Sequence, residues 1–126
     1  MTGEVVGVGT DLVDVERLRV ALDRRPGLAD RLFTPAERAD SARHRDPLPH
    51  LAARFAAKES VMKALGRGIG AMAFTDIEVR SGAGGAPRPT LSGRAQQCAS
   101  ELGVQGWHLS LTHTASLAQA VAVASG

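Results

Sequence analysis

Leu51-Ala52-Ala53-Arg54-Phe55-Ala56-Ala57-Lys58-Glu59-Ser60-Val61-Met62-Lys63-Ala64-Leu65 runs without glycine or proline and is rich in alanine, which predicts one long central helix stopped by Gly66, Gly68 and Gly70. At about 100° per residue, Glu59 falls ~40° from Phe55 and ~60° from Met62. A carboxylate therefore interrupts the apolar stripe of Leu51, Phe55 and Met62. Burying a bare carboxylate is costly, so its position needs a reason. The plain reason is an ion pair with Lys63 at i,i+4 on a solvated face, with Lys58 flanking the same stripe. The chemical reason is a carboxylate held for a ligand, and the shared side with Phe55 favours it.

Upstream, Val5-Val6-Gly7-Val8-Gly9-Thr10-Asp11-Leu12-Val13 is β-branched with alternate glycines, the pattern of a strand that another backbone or a ligand approaches closely. Asp11 lies toward its end. Taken with Glu59 it makes a pair of hard oxygen donors of the kind Mg²⁺ uses beside phosphate, while neighbouring lysines supply compensating charge. Asp14 is placed to cap a helix from Val15 to Leu22, which Pro26-Gly27 stops. Arg17 and Arg24, seven positions apart, lie ~20° from each other on that helix, with Ala21 between and Arg25 beside them. That side is either a solvated face or a contact for an acidic helical partner. Thr34-Pro35-Ala36-Glu37 is a capping box opening a short helix, which Asp46-Pro47-Leu48-Pro49 ends.

Downstream, Phe74 to Arg80 and Arg88 to Leu91 read as strands around a glycine-rich turn, residues 81–87, and Ser92 caps a helix to Leu102 closed by Gly103. Trp107 to His113 and Leu117 to Ala124 read as a last hairpin. His113 shares a face with Trp107, Leu109 and Leu111, so it is either a partly buried histidine bonded to backbone or a ligand contact.

The whole chain has 126 residues, a net charge of +2 and a single cysteine, Cys98. One compact domain over residues 1–126 is expected, with no internal disulfide and no strongly basic surface to coat nucleic acid. No basic leader opens the chain and no apolar run approaches the ~20 residues that span a bilayer, so a cytoplasmic protein with neither membrane nor nucleic-acid partner is expected. Metal-ligand spacings of Cys and His are absent, and so is a Gly-x-Ser-x-Gly elbow. Gly66-Arg67-Gly68-Ile69-Gly70 follows a helix instead of preceding one, which removes it as a phosphate loop.

Three segments together carry a resemblance: Val6-Gly7-Val8-Gly9-Thr10-Asp11-Leu12-Val13, Arg54 to Gly66, and Leu109-Ser110-Leu111-Thr112-His113-Thr114. They look like the signature segments of the holo-acyl-carrier-protein synthase family, and the likeness covers essentially the whole chain. It implies an α+β 4′-phosphopantetheinyl transferase fold, a small antiparallel sheet packed against helices, assembled as a homotrimer with active sites between subunits. It also implies transfer of the 4′-phosphopantetheine arm of coenzyme A to a serine of apo acyl carrier protein, with Mg²⁺ as cofactor and adenosine 3′,5′-bisphosphate as product, for carriers of fatty-acid or polyketide synthesis. Carried over by position, Asp11 and Glu59 hold the metal, and Lys58 and Lys63 bind phosphate. Lys63 joins Asp11 and Glu59 as a catalytic residue. Arg54 and His113 reach coenzyme A phosphates, and Arg17, extended by Arg24 and Arg25, meets the carrier. The competing readings are a non-catalytic carrier- or nucleotide-binding module and a basic nucleic-acid binder. The second is weakened by the scarcity of aromatic platforms.

Overall fold

The computed structural model describes residues 3–68, 70–81 and 83–126. Strand β1 (Val5–Asp14) leads into α1 (Val15–Arg24), α2 (Leu28–Leu32), α3 (Pro35–Ala42) and α4 (Leu48–Ala64). A 3₁₀ turn at Phe74–Asp76 precedes β2 (Ile77–Ser81), followed by β3 (Pro87–Leu91), α5 (Gly93–Glu101), β4 (Gly106–His113) and β5 (Leu117–Ser125). β1, β5 and β4 form an antiparallel sheet in that order, and β2 and β3 form a separate hairpin. The α+β class that the resemblance implies is thus realised, with α4 lying across the three-stranded sheet.

Close contact between helix and sheet follows from side-chain size. β5 turns Ala118, Ala120, Ala122 and Ala124 toward the core, and α4 answers with Ala52, Ala53, Ala56, Ala57 and Val61, all buried. In β1 the residues opposite these alanines include Gly7, Gly9 and Asp11, paired with Ala124, Ala122 and Ala120. A Cβ added to Gly7 would stand 1.9 Å from the carbonyl oxygen of Ala64, and one on Gly9 1.9 Å from that of Ser60. The glycines are there because the helix backbone fills the space, so the expected close approach is that of α4. Ser60 fastens the contact, its hydroxyl donating to the carbonyls of Ala56 (2.7 Å) and Ala120 (3.2 Å).

Two of the three N-caps read from sequence are formed; Ser92 stands at the N-cap position of α5, but its hydroxyl makes no capping bond and donates to the Asp76 carbonyl at 3.5 Å. The Asp14 side chain accepts from the Arg17 N–H, and Thr34 and Glu37 close a reciprocal capping box. Several boundaries differ: α1 runs to Arg24, past Leu22, and α2 (Leu28–Leu32) is absent from the sequence reading. α4 begins at Leu48 and carries Pro49 in its first turn, where a missing N–H leaves no hydrogen bond unmade. Phe74–Asp76 winds as a 3₁₀ turn before the strand starts, because Asp76 reaches back to the Ala73 N–H. Of the turn expected at residues 81–87, Gly82 lies outside the described residues, as does Ile69 in the glycine-rich stop. Among the described residues no helix is long and apolar enough to cross a membrane.

Candidate active site

Asp11 sits on the α4 side of β1, and α4 brings Lys63 to it. The Lys63 ammonium lies 3.1 Å from Asp11 Oδ1 and donates to the Thr10 carbonyl at 2.9 Å. The i,i+4 ion pair with Glu59, the plain alternative, is not the one Lys63 makes: Lys63 pairs across to the strand. Glu59, one helical turn earlier, is half-buried, and burial first and the neighbouring Asp11 charge second push its carboxyl above the usual glutamate range, with Lys63 pulling the other way. Two carboxylates thus face each other with less than full compensation. That donor set of hard oxygens fits a divalent cation better than it fits a structural ion pair.

Asp11 and Glu59 line one end of a groove of about 480 Å³ whose apolar walls include Leu18, Ala21, Leu28, Leu32, Phe55 and Phe74. Arg17 and Asp14 line the same groove, while Arg24 is exposed at the far end of α1. Arg25 does not continue that face as a helical residue. It caps the helix in an extended conformation, exposed beside Arg24.

Lys58 does not join this group. Its side chain is fully buried, and its three N–H bonds go to Glu37 Oε1 (2.8 Å) and the carbonyls of Phe74 (3.0 Å) and Ile77 (2.6 Å). No donor remains for a phosphate, so the expectation that Lys58 binds one is corrected. Glu37 is equally buried, accepting from the Thr34 N–H (2.8 Å) and the Val79 N–H (2.7 Å) as well. One ion pair ties α3, α4, the 3₁₀ turn and β2 together. Its sequence signal was half visible, since Glu37 was legible as the capping-box glutamate but its partner on another helix was not.

Arg54 and His113 meet at a second cavity of about 310 Å³, bordered also by His44, His50 and Arg80. Arg54 is only 9% exposed; one amino group donates to the His50 carbonyl (3.3 Å) and the other stands 4.0 Å from Asp40. Its Nε is buried with no acceptor. Asp40 is engaged chiefly by Arg80 (3.1 Å) and also pairs with Arg43 at 2.6 Å, which together hold its carboxyl below the usual range despite burial. The cavity is therefore lined by guanidinium and imidazole groups, as an anion site needs. His44, His50, Asp40 and Arg80 were not picked out from the sequence.

The model of the 4′-phosphopantetheinyl transferase superfamily matches residues 7–122. The chain is 48% identical over 122 residues to a holo-[acyl-carrier-protein] synthase of Streptomyces avermitilis, covering 97% of this chain and 98% of that one. Among solved structures it is similar to an acyl carrier protein synthase of Plasmodium yoelii with ADP bound, with TM-score 0.88 and 28% identity over 98% and 96% of the two chains. It is also similar to the Helicobacter pylori holo-[acyl-carrier-protein] synthase in complex with coenzyme A, with TM-score 0.80 and 30% identity over 94% and 99%.

Proposed function

The chain belongs to the 4′-phosphopantetheinyl transferase superfamily, and from that membership we propose that it transfers the 4′-phosphopantetheine arm of coenzyme A to a serine hydroxyl of apo acyl carrier protein, releasing adenosine 3′,5′-bisphosphate. It is an enzyme of the holo-[acyl-carrier-protein] synthase kind. The observation that carries the reading is the meeting of Asp11 and Glu59 at one end of the groove, with Lys63 paired to Asp11 and Arg17 bordering the same opening.

Asp11 and Glu59 would hold Mg²⁺, whose role when bound is to neutralise charge on the pyrophosphate. Lys63, half-exposed beside Asp11, is the catalytic cation for the transferring phosphoryl oxygens. Arg54 and His113 would take a phosphate at the adenosine end, where both border the second cavity. The carrier serine attacks the pantetheine-side phosphorus, the bridging P–O bond breaks, and the electron pair leaves on adenosine bisphosphate. The serine proton passes to an ordered water or to Asp14, which lines the groove. Arg17, with Arg24 and Arg25 beyond it, offers positive charge to an acidic helix of the carrier.

A homotrimer with active sites between subunits is part of the reading. The sheet face turned away from α4 leaves Val8 60% and Leu12 63% exposed, with Leu117 next along the same face at 43%. Further copies of the chain are proposed to cover it. The reading takes residues 1–126 as one catalytic domain. Cys98 is buried and unpaired, which suits a reducing compartment, and the reading places the enzyme in the cytoplasm serving fatty-acid synthesis.

Release of adenosine 3′,5′-bisphosphate, followed chromatographically, tests the assignment. Product is expected only when coenzyme A, Mg²⁺ and an apo carrier are all present. Release that is independent of the carrier contradicts transfer to a protein serine.

A further inference from the structure

The cavity beside Arg54 contains three imidazoles where the proposed function uses one. His44 follows α3, His50 stands in the early turns of α4 and His113 ends β4. The His44 and His50 rings stack with centroids 3.5 Å apart and planes 13° apart, and His50 meets His113 edge-on at 4.7 Å. Two parallel imidazoles in contact do not both carry charge cheaply, least of all beside guanidinium groups. Every element packed around His50 contributes charge or a titrating group: Arg54 on its own helix, Asp46 before it, Asp40 and Arg43 at the end of α3, Arg80 on β2 and His113 on β4. Burial, then His44, His113 and Arg54, hold His50 below the ordinary imidazole range, with Asp46 opposing. Asp40 gives little relief, because Arg80 and Arg43 already occupy it.

His50 is therefore short of a proton until an anion arrives. Coenzyme A has one phosphate monoester, whose second pKa near ~6 makes it largely dianionic at neutral pH; its bridging pyrophosphate carries a single charge on each phosphorus. A dianion is the ligand whose second charge a new imidazolium can match. We propose that His44 and His50 are specificity residues for that monoester, and that the histidine stack takes up a proton from solvent as the phosphate settles on Arg54 and His113. The inference rests on the reading that this cavity binds the adenosine end of coenzyme A. Its sign is fixed: the ligand raises the imidazole pKa, so affinity climbs as pH falls from about 8 toward the phosphate's own second pKa, by up to about tenfold per pH unit for one proton.

Calorimetric titration of the intact protein with coenzyme A, whose only phosphate monoester is the 3′ one, in buffers of different ionisation enthalpy, counts the protons. Net uptake is expected near neutral pH, and none with 3′-dephospho-coenzyme A, which lacks the monoester. His44→Gln and His50→Gln should each remove most of the uptake. They should weaken binding about tenfold near pH 6.5 yet stay within about twofold of the parent near pH 8.5, where the parent takes up no proton either. Wild-type uptake in both variants overturns the inference and leaves the cavity a nucleotide site. Equal uptake with the dephospho compound also overturns it, by tying the proton to the pyrophosphate. Failure of the parent protein to bind coenzyme A removes the inference and the cavity's nucleotide reading together.

Discussion

Lys58 and Glu59 are chain neighbours with opposite tasks, because one step along a helix turns the side chain by about 100°. Lys58 is sealed against Glu37, and removing one partner leaves an uncompensated buried charge. Lys58→Met should therefore lose about 3–5 kcal/mol of stability in chemical denaturation, while the double variant Glu37→Gln, Lys58→Met recovers part of it. A loss below about 1 kcal/mol for the single variant would mean that the pair is not closed to water. Glu59 behaves in the reverse sense. Its pKa is raised by burial and by Asp11, so folding favours the protonated form. That stabilisation is complete below the ordinary glutamate range and is lost as pH rises through the elevated value, leaving an ionised Glu59 a burden at neutral pH. Glu59→Gln should consequently raise the melting temperature in a chelator while lowering transfer by roughly 10²–10³-fold. A variant that melts lower and still transfers at the parent rate would contradict the site. Glu59 was legible in the sequence because a carboxylate on the Phe55 stripe is out of place locally. Lys58 was misread because the group that claims it lies on α3, which no local spacing reveals.

At the scale of elements, the pair proposed to hold the metal, Asp11 and Glu59, is assembled by how closely α4 seats on β1. Gly9→Ala would drive a methyl carbon to 1.9 Å from the Ser60 carbonyl, a backbone atom that cannot swing aside. The strand and helix must separate, at a cost of about 1–3 kcal/mol or more. Transfer should fall further than stability alone explains, since Asp11 and Glu59 are on the two elements pushed apart; unchanged kcat/KM in folded Gly9→Ala protein would refute that coupling. α1 makes a different claim. Arg17→Glu should raise KM for the carrier and leave KM for coenzyme A nearly unchanged. The parent's carrier KM should climb with salt, because exposed charges are screened beyond about 8–10 Å near physiological ionic strength. Equal salt dependence in both proteins would return α1 to a solvated face. Most elements were legible from caps and periodicity, including the strand β1, the capping box at Thr34 and the final hairpin. The early start of α4 was not, because Pro47 and Pro49 read as terminators until Pro49 is seen in a first turn.

Over the whole molecule, the sheet has a covered face and an open one. Alternation on β5 sends small alanines to α4 and leaves the other side to Leu117, Gln119, Val121 and Val123, beside Val8 and Leu12 of β1. Leu12→Asp should shift the light-scattering mass from a trimer to a monomer; a parent protein that is monomeric at all concentrations would defeat the assembly. Because His113 and the Asp11–Lys63 pair occur on separate cavities of one chain, the reading predicts that this variant also loses activity. The central claim remains phosphopantetheine transfer through Asp11 and Glu59, and intact mass spectrometry of an apo carrier protein incubated with this enzyme, coenzyme A and Mg²⁺ addresses it most directly. The account predicts that the carrier gains the mass of one phosphopantetheine with the parent enzyme and essentially none with Asp11→Asn or Glu59→Gln. A carrier of unchanged mass with the folded parent enzyme, or full conversion by both variants, would contradict it.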